Sequence, residues 1–256
     1  FHMKPNVSSV HFCPIKSLSF QSAQTLTIKK DIGIEKDRIF VFSRGLNELN
    51  AIQVEKNPDE RKLIHFLTLK NSPVLNKYNF KYKNETIAIF KDGKEIASYP
   101  IQEKKNLTKK LLELEPDLPN PTYLLKNELF PFYDTTSSSS VSNTISLINL
   151  NSIKDFTEKI NKEIEFKRFR GNIYIKDLKA FEERNWINKV ITINNTKFKV
   201  LKNIPRCSAT NLKINSNEAD INLPNMLMKT YGHIDMGIYL APLKNGQVKV
   251  GDSVNF

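Results

Sequence analysis

Cysteine is almost missing from this chain. Cys13 and Cys207 are the only two among 256 residues, 194 positions apart, with no C-x-x-C or C…H spacing around either. A disulfide framework is excluded by count, no structural zinc spacing is present, and a reducing cytoplasm is the expected setting. Glycine is also scarce, at 8 residues, and no glycine-rich loop of the P-loop kind occurs. No apolar run approaches the ~18 residues needed to span a bilayer, so no membrane association is expected. The opening "FHMKPNVSSV" has no apolar h-region of a signal peptide, and Met3 is the expected native start. Acidic residues are outnumbered: 39 Lys and Arg against 27 Asp and Glu leave a formal charge of +12. Such an excess fits either a lysine-rich solvated surface or an anionic partner, and charge alone does not choose.

What is present reads as mainly β with a few helices. "TLTIKK", "RIFVFS", "KLIHFLTLK" and "TIAIFKDGKEIASY" have strand length and β-type patterning, and Asp92-Gly93 supplies the positive φ pair of a two-residue hairpin. "QEKKNLTKKLLELE" places Leu107, Leu111 and Leu114 on one helical face, with Pro116 ending it. Residues 116–146 hold four of the twelve prolines and a serine run, and read as an irregular connection with a mobile tip at Ser137–Ser140. "NSIKDFTEKINK" reads as a helix with Ser152 as N-cap, and "LPNMLMKTYG" as another with Pro224 in its first turn and Gly232 past its end. "NIYI", "KVITINNTKFKVL" (turn at Asn194-Asn195) and "GIYLAPL…GQVKVGDSVNF" return to strands. Short strands at this spacing point to barrels.

Chemistry-bearing residues are few. Arg206 places a fixed positive charge beside Cys207, which favours thiolate, a soft metal ligand. An inert buried cysteine fits the same residues, and both readings stay open. Nucleophilic catalysis by Cys207 needs a histidine base, and no family-type signature surrounds His11, His65 or His233. Lys16 and Ser17 follow Pro14 at a bend, and Arg38 opens a strand. Arg168, Arg170 and Asn172 stand at a strand start, the last two sharing a face by being two apart. "AFEERNW" offers Glu182, Glu183 and the only tryptophan, Trp186. Each cluster has a bland counterpart in surface ion pairs or core filling.

Taken together these clusters resemble one family. "CPIKSLSF" resembles the Y-P-[VI]-K-S opening of the N-terminal β-barrel that accompanies MOSC domains, the molybdenum-cofactor sulfurase C-terminal module. "GIEKDRIFVF" is similar to its G-x-x-x-D-R strand. "FRGNIYI…AFEERNW…NTKFKVLKNIPRCSATN" resembles its F-R-x-N, F-x-E-x-x-W and R-C-x-x-T elements in order, and "GHIDMGIY" with the terminal "VGD" resembles the ending of bacterial members. The departures are Cys13 for an aromatic residue, Gly171 where amidoxime reducers have proline, and "SATNLKINSNE" in place of their T-T-V-D-P-x-T-G run.

The resemblance implies an N-terminal β-barrel-like domain over residues 3–98 and a MOSC β-barrel domain over 99–256. It implies molybdenum cofactor (molybdopterin), with Cys207 as the metal ligand and catalytic position. Lys16, Ser17, Arg38, Arg170, Asn172 and Arg206 would cradle the pterin and its phosphate, where forked guanidinium donors suit an anionic group. The implied activity is an oxidoreductase acting on a small-molecule substrate of N-hydroxylated or N-oxide type. No cluster-ligating cysteines are present, so electrons are expected from a separate donor protein. Two alternatives remain: a non-redox carrier of sulfur (a persulfide on Cys207) or of the cofactor, and a basic β-barrel that binds nucleic acid. The second is disfavoured because the aromatics, Phe40, Phe42, Phe66 and Phe198 among them, fall at core-like strand positions.

Overall fold

The computed structural model describes residues 3–133 and 145–256. The expected tip at Ser137–Ser140 lies outside them. The first half contributes β1 (Asn6–Phe12), β2 (Gln21–Ala23), β3 (Thr25–Lys29), β4 (Gly33–Ile34), β5 (Phe40–Phe42), α1 (Glu48–Lys56), β6 (Tyr78–Lys83), β7 (Thr86–Lys91), β8 (Lys94–Pro100), α2 (Lys104–Leu114) and β9 (Leu124–Lys126). The second half adds β10 (Ile145–Asn149), α3 (Leu150–Ile160), β11 (Ile173–Lys176), β12 (Val190–Ile193), β13 (Thr196–Pro205), α4 (Leu223–Tyr231), β14 (Asp235–Pro242), β15 (Gly246–Lys249) and β16 (Val254–Asn255). The class is mainly β, as expected. The large sheet is an open ladder in the order β16-β12-β13-β14-β10-β11-β1-β2, and no pairing closes it into a barrel among the described residues.

Side-chain alternation along the strands of this sheet builds two cores. Leu147, Ile173, Ile175, Ile238 and Leu240 pack on one face with residues of the β15-β3-β4 sheet, such as Leu26, Ile28, Ile34 and Val248. Ile148 and Tyr174, interleaved with them in sequence, face the other way onto Ile153 and Phe156 of α3 and Leu223 and Leu227 of α4. Met236 joins them because the strand is irregular at positive-φ Gly237. A further core joins β6, β7 and α2 to Phe40 and Phe42 of β5. Burying each such phenylalanine contributes about 1.5–3 kcal/mol. Strands from both sides of residue 98 share sheets: β1 pairs antiparallel with β11, and β3 with β15.

Local chemistry explains most elements. Asp92 and Gly93 both have positive φ (52° and 77°), giving the β7–β8 hairpin its expected primed turn. The helix α2 buries Leu107 and Leu111, and α4 carries Pro224 in its first turn and ends on left-handed Gly232.

Three local expectations need correction. "KLIHFLTLK" is not a strand. Leu63–His65 is a 3-10 turn with Leu63 and Ile64 exposed, and its sheet-like pairing is one bridge, Ser43 to Phe66. Helix α3 is capped by Asn149, whose side chain accepts from the Asn151 N–H. Ser152 lies inside the helix, and its hydroxyl donates to the Glu183 carboxylate. Arg38 and Arg170 precede their strands with left-handed backbones, so neither opens one.

Candidate functional site

Six of the seven residues that the resemblance places around the cofactor, all but Lys16, line one cavity of about 560 Å³. Its walls come from the bend after β1 (Cys13, Ser17), the two flanks of β5 (Arg38 before it, Arg44 after it), the approach to β11 (Arg170, Asn172) and the end of β13 (Arg206, Cys207). Residues on both sides of residue 98 therefore build it. Five cationic side chains, Arg38, Arg44, Lys70, Arg170 and Arg206, line it, and no carboxylate does so among the described residues. Such a surface holds its positive potential for an anionic ligand.

The two thiols have opposite surroundings. Cys13 is 1% exposed and donates to the carbonyl oxygens of Ile15 (3.0 Å) and Leu18 (3.5 Å). Burial pushes its pKa up to about 11, against the opposing pull of Arg170. Cys207 is exposed. It precedes a 3-10 turn, Ser208–Asn211, and its carbonyl accepts from both the N–H (3.1 Å) and the hydroxyl (2.7 Å) of Thr210. That double anchor fixes the backbone from which the thiol projects, which is the local role of the threonine in R-C-x-x-T.

Arg206 is buried at 9% exposure, and its Nε has no hydrogen-bond partner among the described residues; the same holds for the Nε of Arg44. Buried donors left unpaired are costly unless a ligand takes them up. Burial also works against the Arg206 charge, a penalty that a bound anion would offset.

Three left-handed non-glycine backbones belong to the cavity wall: Ser17 (φ 65°), Arg38 (φ 52°) and Arg170 (φ 53°). Such conformations persist only where surrounding contacts over-determine them, and they cluster at ligand sites. The contacts are visible. The Ser17 hydroxyl accepts from the Leu69 N–H (3.0 Å), Arg38 donates to Asp37 (2.6 and 2.9 Å), and Arg170 donates to the Leu18 carbonyl (2.7 Å).

Asp37, the aspartate of the G-x-x-x-D-R strand and given no role from the sequence, is the hub of this arrangement. It is fully buried and accepts from the Cys13 N–H (2.7 Å), the Asn172 side-chain amide (3.4 Å) and Arg38. Asn172 in turn accepts from the Ser146 N–H (3.1 Å) and donates to the His11 carbonyl (3.1 Å). Its polar atoms tie three wall segments together. Lys16 is buried but does not line the cavity. The aspartate of the quoted "KDRIF" was the available signal for Asp37; Arg44 carried none.

Other singled-out residues lie elsewhere. Arg168 is held by Glu165 (2.6 Å) and Asp220 (2.6 and 3.0 Å) and is structural. Glu183 is fully buried between the Asn149 amide (2.9 Å) and the Ser152 hydroxyl (2.8 Å), and burial raises its pKa. Trp186 sits in the core. Neither Glu182 nor Glu183 lines the cavity. Gly171 is explained by its neighbours: its N–H donates to the Tyr174 hydroxyl (2.8 Å), a bond proline cannot make, and a Cβ there would lie 2.7 Å from Ile148 Cδ1.

No histidine lines the cavity among the described residues, so Cys207 has no imidazole base there. His11 is buried, with its ring nitrogens near Ser9 Oγ (3.0 Å) and Ser22 Oγ (3.3 Å), and burial, assisted by Lys167, lowers its pKa from 6.5 to about 4. The unfolded chain then binds this proton more readily than the fold. The associated stability, about 3 kcal/mol, is present above pH 6.5 and is lost as pH falls toward 4. Urea unfolding at pH 7 and pH 4.5 is expected to show this loss, and His11→Gln to reduce the difference.

Comparison with known proteins adds the following. The MOSC domain family model matches residues 134–255. Mitochondrial amidoxime reducing component 2 of Bos taurus is 28% identical over 142 residues, 50% of this chain and 42% of that protein. Mitochondrial amidoxime-reducing component 1 of Danio rerio is 26% identical over 153 residues, 57% of this chain and 46% of that protein. The chain thus spans less than half the length of these curated relatives. Among solved structures, the YuaD protein from Bacillus subtilis aligns with 98% of this chain and 94% of its own, at 11% identity and a TM-score of 0.46. No helix among the described residues is long and apolar enough to cross a membrane.

Proposed function

We propose that this protein, a MOSC domain protein with the domain matched at residues 134–255, binds molybdenum cofactor in the cavity that Cys207 and Arg206 line. The observation that carries the reading is one exposed thiol in a pocket of five cations, two of them with unpartnered buried Nε atoms. The fit to the group is chemical. A thiolate is a soft ligand, and forked guanidinium donors match a phosphate and an anionic dithiolene.

When bound, the cofactor supplies two-electron oxygen-atom chemistry at the metal. The chain's residues do the rest. Cys207 would hold the metal as a thiolate, its peptide fixed by the Thr210 hydroxyl. Arg206, Arg44, Arg170 and Arg38 would face the cofactor's negative charge, with Asp37 fixing the Arg38 fork. Ser17 and Asn172 shape the wall, their polar groups engaged with Leu69 and with Ser146, His11 and Asp37. Lys16, buried and outside the lining, would act only through its field near Cys13. The substrate we assign is an N-hydroxylated or N-oxide small molecule, reduced with electrons from a separate donor protein in the cytoplasm. Residues 3–98 and 99–256 are proposed as two domains that share this site.

Elemental analysis of protein from a cofactor-competent host is expected to find molybdenum near one atom per chain in wild type and in Cys13→Ala, and about tenfold less or lower in Cys207→Ser. Wild type that carries no molybdenum with Cys207 intact would overturn the reading. Cyanide-releasable sulfur on Cys207 in the absence of metal would favour a persulfide carrier instead.

A further inference from the structure

A second cavity of about 490 Å³ lies beside the first and shares only Phe20 and Arg170 with it. Its size is that of a small-ligand site (roughly 300–1,000 Å³). Three cations, Lys81, Lys167 and Arg170, line it, and no carboxylate does so among the described residues. Arg170 commits one nitrogen to the Leu18 carbonyl and stacks 5.0 Å from the Phe20 ring, which leaves further guanidinium N–H groups for a ligand.

The rest of the wall is amide-rich and pinned. Gln21 bonds the Tyr82 main chain at both ends (2.9 and 3.1 Å). Asn76 donates to the carbonyls of Lys213 (2.8 Å) and Ser216 (2.7 Å), and Asn79 donates to Asn215 Oδ1 (2.8 Å). These bonds fix the side chains while leaving the Asn76 and Asn79 amide oxygens as acceptors and the Asn215 amide as a donor. His11 stays neutral at neutral pH and adds no charge. Uncompensated cations fit a phosphate, whereas an aromatic face beside oriented amides fits the flat, polar-edged ring of a nucleobase.

We propose that this second cavity is a binding site for a nucleoside monophosphate, with its phosphate between Lys81, Lys167 and Arg170 and its base against Phe20 and the Asn76, Asn79 and Asn215 amides. The proposal stands whether or not the first cavity takes a cofactor, although Arg170 is common to both walls.

The test is isothermal titration of the full chain with AMP, GMP, CMP, UMP and inorganic phosphate. At least one nucleotide is expected to bind about tenfold or more tightly than phosphate, reflecting the base contacts. Lys81 and Lys167 are exposed, so the double variant Lys81→Glu/Lys167→Glu is expected to fold and to weaken nucleotide binding by about tenfold or more. Lys70→Glu, which alters only the first cavity, is expected to leave it within about twofold. Binding that is equal for phosphate and nucleotides, indifferent to Lys81→Glu/Lys167→Glu, or removed by Lys70→Glu would overturn the proposal, as would no binding at all. Cys207→Ser separates the two sites: nucleotide affinity persists there while metal is lost, and wild type that binds nucleotide without molybdenum overturns only the cofactor reading.

Discussion

Asp37→Ala is expected to destabilise the protein by about 3–5 kcal/mol, the cost typical of removing one partner from a buried ion pair. Asp37 has no exposed surface and serves three segments at once: the Cys13 peptide, the Asn172 amide and the Arg38 guanidinium. Alanine leaves a buried N–H without an acceptor and Arg38, itself only 13% exposed, without its carboxylate. Asp37→Asn keeps one acceptor oxygen but turns an amide donor or a neutral oxygen toward Arg38, and is expected to fall between wild type and alanine. Urea denaturation reads both as a lower midpoint at unchanged slope. An alanine variant within about 0.5 kcal/mol of wild type would show that the hub is dispensable, since that is the range of ordinary surface changes.

The second large effect is kinetic. Native protein treated with iodoacetamide at pH 8 is expected to take up one label, on Cys207, with Cys13 slower by about a thousandfold or more. The buried thiol reacts only through opening of a fold worth about 5–15 kcal/mol. Cys13 is 1% exposed, bonded to two carbonyls and pushed up to about 11, so both access and thiolate fraction are withheld. Cys207→Ser is expected to leave native protein unlabelled, and denaturant to restore one label there. Equal labelling of both cysteines in native protein would contradict the burial of Cys13. Because a metal-bound sulfur is shielded, protein carrying molybdenum is expected to label more slowly at Cys207 than metal-free protein.

Elements fixed by local chemistry were legible in the sequence. The Asp92-Gly93 hairpin, the leucine face of α2, and the Pro224 and Gly232 limits of α4 each rest on a residue whose backbone or period admits few alternatives. Helix α1 was not legible because it buries only Ala51 and Val54, and its cap is the unremarked Asn47. The misread "KLIHFLTLK" failed for a related reason. Apolar residues in succession look like a strand, but Leu63 and Ile64 point to solvent at the cavity edge while Phe66, Leu67 and Leu69 turn inward.

The members of the candidate site were named by family resemblance, and their geometry was not legible. Cys207, Arg206, Arg170, Asn172, Arg38 and Ser17 were named through motifs that resemble a family, yet their convergence depends on pairings across more than a hundred residues. Asp37 and Arg44 needed coordinates, because an acid beside an arginine and a lone arginine look like surface charge until burial is known. The left-handed backbones of Ser17, Arg38 and Arg170 leave no trace in residue type, since none is Gly, Asn or Asp.

The position of β1 bears on how the chain is made. Val10 finds its partner Ile173 only 163 residues later (173 − 10). At ribosomal rates of about 5–20 residues per second, that strand waits roughly 8–30 s before its neighbour is synthesised. Through that interval Val7, Val10 and Phe12, later enclosed in the core, have no sheet from the second half to cover them. Nascent chains of this protein therefore expose a sticky edge early, and production in cells should respond to holdase supply and lowered temperature more than the finished fold's stability would indicate.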